Sequence, residues 1–307
     1  MVIWEKKREI IFQKEGINML KLINMLLNMF KNKNKPNVFT NIKTDVGLKK
    51  VALCVGINDY PGTRNDLRGC VNDATDWKNY FIEKAKFDKV VLLLDSNARI
   101  SAFENEIKSL NELNPDVLVI TNSSHGTSLP DDNGDEIDGR DEAICFYDGN
   151  MRDDYIRKII NKINPKTRVI FISDSCHSGT VTRNSLNAMN DHSYVSVPRY
   201  MPPKEDIDAS SMALLPLKNS VMAPETDRNE ILLSGCKDAE YSYDASFGGR
   251  ANGAFTYNFL NILKNNDNLT YEEAYNKIRT QLPSSRYPQT PQLECSNNDI
   301  KKTILWS

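Results

Sequence analysis

The stretch Arg168-Val169-Ile170-Phe171-Ile172-Ser173-Asp174-Ser175-Cys176-His177-Ser178-Gly179 decides how this chain is read. Val169 to Ile172 is an apolar, β-branched run, short enough for a strand covered on both faces, and it stops at Ser173, Asp174 and Ser175. Cys176 therefore falls just past the carboxyl end of a buried strand, where the loops of an open parallel sheet converge on a crevice. A second run, Asp116 to Asn122, is also apolar and ends in a polar turn, Ser123-Ser124-His125-Gly126. Two strand ends thus offer a thiol and an imidazole, the minimum that nucleophilic thiol chemistry requires.

Around these two runs the pattern alternates strand and helix. Val51 to Ile57 reads as a buried strand, and Ala74, Trp77, Phe81 and Ala85 form the apolar stripe of a helix over Cys70 to Phe87. Asn72, Asp73 and Asp76 lie in that helix's first turns and favour its positive end. Val90 to Leu94 is the next strand, Phe103, Ile107 and Leu110 mark the next helix, and Val117 to Ile120 is a third strand. This βαβαβ order implies an α/β fold with a mainly parallel, doubly wound sheet. Further on, Ala143 to Tyr147 reads as a strand and Ile156, Ile159, Ile160 and Ile163 as one side of a helix, with Asp153 and Asp154 in its first turn. A strand at Glu230 to Ser234 and two more helices follow, the second opened by a capping box of Thr270 and Glu273. The proline-rich RYPQTPQL is expected to lie extended over the surface.

Two regions break the alternation. Residues 1–46 read as an amphipathic helix, with Leu20, Ile23, Leu27 and Phe30 at helical spacing, followed by a basic linker; 47–307 form the main domain. The helical run is shorter than the ~20 apolar residues of a membrane span and is interrupted by Lys21, Asn24 and Asn28. From about 181 to 229, five prolines and no sustained period imply a long irregular loop, a natural place for cleavage. The net charge of −2 gives no bulk attraction to nucleic acid or anionic membrane. Six widely spaced cysteines without a C-x-x-C pair point to a reducing cytoplasm.

The candidate chemistry centres on Cys176 as nucleophile and His125 as its base. The thiol attacks as thiolate, favoured by a nearby imidazolium, and the amides of Gly126 and Cys176 are placed to form an oxyanion hole. His177, next in sequence to the thiol, is read as orienting or structural, and His192 as a surface residue. The loop DDNGDEIDGRDE, residues 131–142, carries seven carboxylates and suits a cation such as calcium or a solvated role, but its spacing does not fit an EF-hand.

The segments ALCVGINDYPGT, LRGCVNDA, the SHG turn, DxxGDExDGxDE, SDSCHSG, GAFTY and YPQTPQL, in this order across Val51 to Leu293, resemble the metacaspase family, and more closely its short, type I or bacterial-type members. The His-to-Cys interval of 51 residues also suits the caspase pattern, in which the histidine lies ~50 residues upstream. The resemblance implies a caspase-like three-layer sandwich, with helices on both faces of a mainly parallel sheet, and a cysteine endopeptidase with His125 and Cys176 as its dyad. It implies cleavage after arginine or lysine of protein or peptide substrates, with Asp73, Ser123, Asp174 and Asp238 at the positions of the family's basic-residue pocket. Carboxylates at the cleft agree in sign with a cationic substrate. It further implies calcium activation through Asp153, Asp154 and Asp138 or Asp141, and a monomer. Two positions depart from the pattern: Ser124 stands where glycine is usual before the histidine, and Arg183 where an aspartate follows the nucleophile. Arginines and lysines in the irregular loop, Arg199 among them, suit self-cleavage. A catalytically idle scaffold or ion sensor is the alternative reading.

Overall fold

Alternation of apolar side chains along each central strand builds two separate cores, one on each face of the sheet. In the computed structural model, which describes residues 47–62, 65–130, 140–176, 196–202, 229–237, 240–296 and 298–307, six strands form that sheet in the order β12-β9-β7-β3-β1-β2. These are β1 (Lys50–Gly56), β2 (Lys89–Leu94), β3 (Val117–Ser123), β7 (Arg168–Asp174), β9 (Glu230–Ser234) and β12 (Gln292–Cys295). All neighbours pair in parallel except β12, which closes the edge antiparallel to β9. Ala52, Cys54, Val119, Ile170 and Ile172 face one core; Leu53, Val55, Ile120, Val169 and Phe171 face the other.

Helix α1 (Cys70–Glu83), α4 (Ala254–Asn265) and α5 (Tyr271–Arg279) cover the first face, where Trp77 stacks on Phe81 and Phe255 on Phe259. Helices α2 (Ile100–Asn111) and α3 (Asp153–Ile160) cover the second with Phe103, Ile107, Ile156 and Ile160. The mainly parallel sheet expected from the alternation, and the three-layer sandwich implied by the resemblance, are therefore present. Thr270 caps α5 as anticipated: its hydroxyl accepts from the Glu273 amide at 3.1 Å while the Glu273 carboxylate accepts from the Thr270 amide at 2.8 Å.

Two small antiparallel sheets stand beside the large one, and apart from the strand expected at Ala143 to Tyr147 they fall where periodicity was weak. One is β4 (Gly126–Pro130), β5 (Arg140–Phe146) and β6 (Gly149–Arg152); the other is β8 (Ser196–Pro198), β10 (Tyr243–Phe247) and β11 (Arg250–Gly253), in the order β11-β10-β8. The region read as patternless from 181 to 229 thus contains a strand, too short to carry a period of its own. The proline-rich tail is also corrected. Tyr287, Gln289 and Thr290 are buried, because Gln289 uses both ends of its amide: Nε2 donates to the Gly235 carbonyl at 2.8 Å and Oε1 accepts from the Tyr243 amide at 3.1 Å. Residues 1–46, Asp138, His177, Arg183, His192 and Asp238 lie outside the described residues. Among the described residues no helix is long and apolar enough to cross a membrane.

Candidate active site

Parallel register alone sets Cys176 beside His125 along the chain ends. β3 and β7 are neighbours paired Ser123 to Asp174, and His125 and Cys176 each lie two residues beyond that pair. Strands in a sheet run ~4.8 Å apart, so two chains leaving the same edge in step deliver their next residues side by side. Both residues are buried.

The histidine is held on three sides. Its amide donates to the Tyr60 hydroxyl at 3.0 Å, its carbonyl accepts from Cys145 at 3.0 Å, and Nε2 lies 2.8 Å from the Asn65 carbonyl. A carbonyl only accepts, so Nε2 carries the proton in the neutral ring and Nδ1 keeps its lone pair. Nδ1 is buried and has no hydrogen-bond partner among the described residues. Burial pushes the His125 pKa down to about 4, so the ring is neutral at pH 7. The imidazolium expected to favour a thiolate is thus not the resting form here. Ser124, where the resembled family has glycine, is buried and employed: its hydroxyl accepts from Asn122 Nδ2 at 3.0 Å and donates to the His125 carbonyl at 2.9 Å.

Cys176 Sγ sits 2.7 Å from the Ser242 amide nitrogen and 3.2 Å from the Ser242 carbonyl. Cys236 packs against it; the hydrogen bond between the two thiols and burial push the Cys236 pKa well up, so that thiol keeps its proton.

The amides proposed as an oxyanion hole do converge, and both point at one atom. Gly126 N–H donates to the Arg199 carbonyl oxygen at 3.0 Å and Cys176 N–H donates to it at 3.3 Å. The Arg199 amide donates to the Ser242 carbonyl at 2.9 Å, extending the β8–β10 pairing by one residue, and the chain continues past the site with Met201 N–H donating to the Gly126 carbonyl at 2.9 Å. Arg199 itself is fully buried.

Its guanidinium ends in a pocket of carboxylates. Nη2 donates to Asp73 Oδ2 at 2.6 Å and to Asp244 Oδ1 at 3.0 Å; Nη1 donates to the Asp174 carbonyl at 2.9 Å and lies 3.3 Å from Asp174 Oδ2. Each acid is fixed by other donors, so the pocket is built before its occupant is counted. Asp73 accepts from Asn252 Nδ2 at 2.8 Å and from the Gly253 amide at 3.0 Å. Asp174 accepts from the Ser242 hydroxyl, from the Thr256 hydroxyl at 2.6 Å and from the Thr256 amide at 2.9 Å. That amide lies in the first turn of α4, among the donors a helix cannot satisfy internally, so the helix end favours the carboxylate. Asp244 accepts from the Arg68 amide at 2.9 Å and the Gly69 amide at 3.0 Å. Gly253 must be glycine here, since a Cβ would run into Asp174 Oδ2 and the Arg199 guanidinium. Burial and the Asp174 charge push the Asp73 pKa up to about 7 against the pull of Arg199, as expected where three carboxylates share one cation.

The structure therefore brings together Cys176, His125, Gly126, Asp73 and Asp174. Ser123 is buried at the end of β3, where its carbonyl accepts from the Ile57 amide at 3.0 Å, with no hydrogen bond to Arg199. Asp244 was missed, and Arg199 was expected only as a self-cleavage position in the irregular loop, not as the cation of this pocket. Asp244 is a carboxylate inside the strand run Tyr243 to Phe247, an anomaly that marks a partnered acid, whereas Arg199 has no local signal beyond the prolines near it.

Of the residues considered for calcium, Asp138 lies outside the described residues. Asp153 and Asp154 open α3, and Asp141 lies on β5 with its Oδ2 at 2.7 Å from Arg152 Nε. Among the described residues no group of three or more acids, histidines or cysteines is placed to hold a metal. Calcium takes six to eight oxygens, and these aspartates do not supply that set by themselves.

A family model described as the caspase domain matches residues 49–301. Metacaspase-1 of Debaryomyces hansenii is 33% identical over 289 residues, covering 81% of this chain and 65% of that protein. Metacaspase-1 of Scheffersomyces stipitis is 30% identical, covering 81% and 71%. The chain thus spans about two thirds of the length of these relatives. The crystal structure of protein GSU0716 from Geobacter sulfurreducens matches with a TM-score of 0.61 at 25% identity, over 84% of this chain and 98% of that one.

Proposed function

Since this chain belongs to the caspase-domain cysteine peptidases and is metacaspase-like within them, we propose that it is an endopeptidase cleaving after arginine or lysine, with Cys176 as nucleophile and His125 as proton carrier. One observation supports this most: a buried arginine has its guanidinium among Asp73, Asp174 and Asp244 while its carbonyl oxygen accepts from the Gly126 and Cys176 amides. A substrate arginine bound the same way has its carbonyl polarised by two N–H groups that hold an oxyanion once charge develops there.

His125 Nδ1 then takes the Cys176 proton as sulfur adds to the carbonyl carbon, and returns it to the leaving amine nitrogen. Water adds to the thioester in the second half, with the same imidazole as base. A histidine held neutral suits this order, because the base must be unprotonated when the thiol gives up its proton. Guanidinium fits the pocket better than ammonium, since it reaches separate acceptors from two nitrogens at once. Self-processing within 181–229 and activation by calcium belong to the same proposal. Peptidase activity unchanged by EGTA removes the calcium part.

Fluorogenic peptides ending in Arg, Lys and Asp test the whole reading. Turnover in the order Arg, then Lys, with none for Asp, and its loss in Cys176→Ala, is the expected outcome. Absence of turnover with all three favours an idle scaffold.

A further inference from the structure

Strand β4 leaves the site directly after His125 and is the outer strand of its small sheet, with β5 on one side. On its other side Gly126 N–H donates to the Arg199 carbonyl at 3.0 Å and Met201 N–H donates to the Gly126 carbonyl at 2.9 Å. These are the bonds of a parallel ladder in which Tyr200 partners Gly126. Side chains alternate along each strand, so Met201 shares a face with Thr127 and, two residues further along β4, with Leu129. Accordingly Thr127, Leu129 and the half-buried Met201 line one cavity of about 580 Å³, walled also by Tyr60 and Phe146. Tyr200 turns the other way, its ring centroid 6.2 Å from that of Tyr241. Tyr60 also receives the His125 amide on its hydroxyl, so the cavity begins beside the candidate base.

We propose that this cavity is a subsite for the second residue after the cleaved bond of a peptide substrate, and that it selects a long apolar or aromatic side chain there. This rests on the peptidase reading above and adds a second point of recognition on the far side of the cut. A substrate arginine with its guanidinium among Asp73, Asp174 and Asp244 and its carbonyl oxygen on the Gly126 amide has its next two residues led along β4 by the same ladder. The first then faces away from the cavity and the second faces into it. Addition of a strand to a sheet edge supplies main-chain hydrogen bonds without regard to sequence, while pockets for alternate side chains supply the selectivity. Seating against Leu129 and Phe146 removes apolar surface from water, which favours methionine or phenylalanine over glycine. Asp148 lines the same cavity, so a carboxylate at that position meets a like charge.

The test uses internally quenched peptides of one sequence, with Arg before the cut, Gly directly after it, and Gly, Asp, Met or Phe at the second position after it. Each is incubated with the full-length wild-type chain, and mass spectrometry identifies the bond broken. Met and Phe are expected to raise kcat/KM about ten-fold or more over Gly, with Asp below Gly. Exchanging the two positions, so that Met or Phe directly follows Arg, should remove the gain, because the alternation then points that side chain away from the cavity. In Leu129→Trp, whose indole fills the cavity, the Met-to-Gly ratio should fall to about three-fold or less. That ratio is read within one protein, so a smaller folded fraction leaves it unchanged. Cleavage after Arg at equal kcat/KM for all four peptides, a gain that survives the exchange, or an undiminished ratio in Leu129→Trp overturns the subsite and leaves the peptidase reading standing. No cleavage of any peptide, or cleavage that does not follow Arg, overturns the reading beneath it.

Discussion

His125 is the residue on which the chemistry turns, and its burial makes a testable demand on pH. The free side chain has a pKa of 6.5 and the buried one about 4, so between these values the unfolded chain binds a proton that the folded chain refuses. Stability due to His125 is therefore present above pH 6.5 and lost as pH falls toward 4. In the uncut Cys176→Ala background, its stability relative to the additional substitution His125→Asn should fall by about 3 kcal/mol over that range. Taking the difference between the two proteins cancels the opposite contribution of Asp73, whose raised pKa costs stability as pH rises. A gap that does not change with pH would contradict a buried neutral ring. Asp244 carries a second demand. It shares the Arg199 Nη2 with Asp73, so Asp244→Asn should lower kcat/KM for Arg peptides about ten-fold or more, and for Lys peptides less. An equal loss for both would mean that Asp244 supplies charge alone.

At the scale of elements, register does most of the positioning. The β3–β7 pairing brings Ser123 to Asp174, and the next two residues on each strand become the imidazole and the thiol. The donor set around the acids comes from the ends of α1, α4 and β11, which explains why Gly253 is hemmed in on the pocket side. Elements away from this edge should affect stability without affecting turnover. The capping box of α5 provides the control: Thr270→Ala should cost about 1 kcal/mol, read as a lower Tm, with kcat/KM for Arg peptides unchanged. A matching loss of activity would show that α5 is coupled to the site. The parts of the site on long periodic elements were legible beforehand: strands β3 and β7, α1 with Asp73, and the capping box all follow from spacing. β8, β10 and β11 were not, because strands of three to five residues beside turns leave too few positions to distinguish period two from noise.

For the whole molecule, two cores on opposite faces of one sheet leave the carboxyl edge of the strands free for chemistry, and the alternation of strand and helix was enough to infer this. What could not be read locally was contact between distant segments. Arg199 meets acids at positions 73, 174 and 244, and Gln289 fastens a proline-rich tail under the pocket that reads in isolation as surface coil. Such contacts have no period and no fixed spacing. They follow only from the way the sheet gathers its loops at one edge. The most direct test of the resulting account uses an arginyl ketone that alkylates a thiol nucleophile, applied to the processed protein and located by peptide mass spectrometry. The account predicts one adduct, on Cys176, blocked by competing Arg peptide and absent with the aspartyl ketone. Labelling of another cysteine, or preference for the aspartyl reagent, would contradict it.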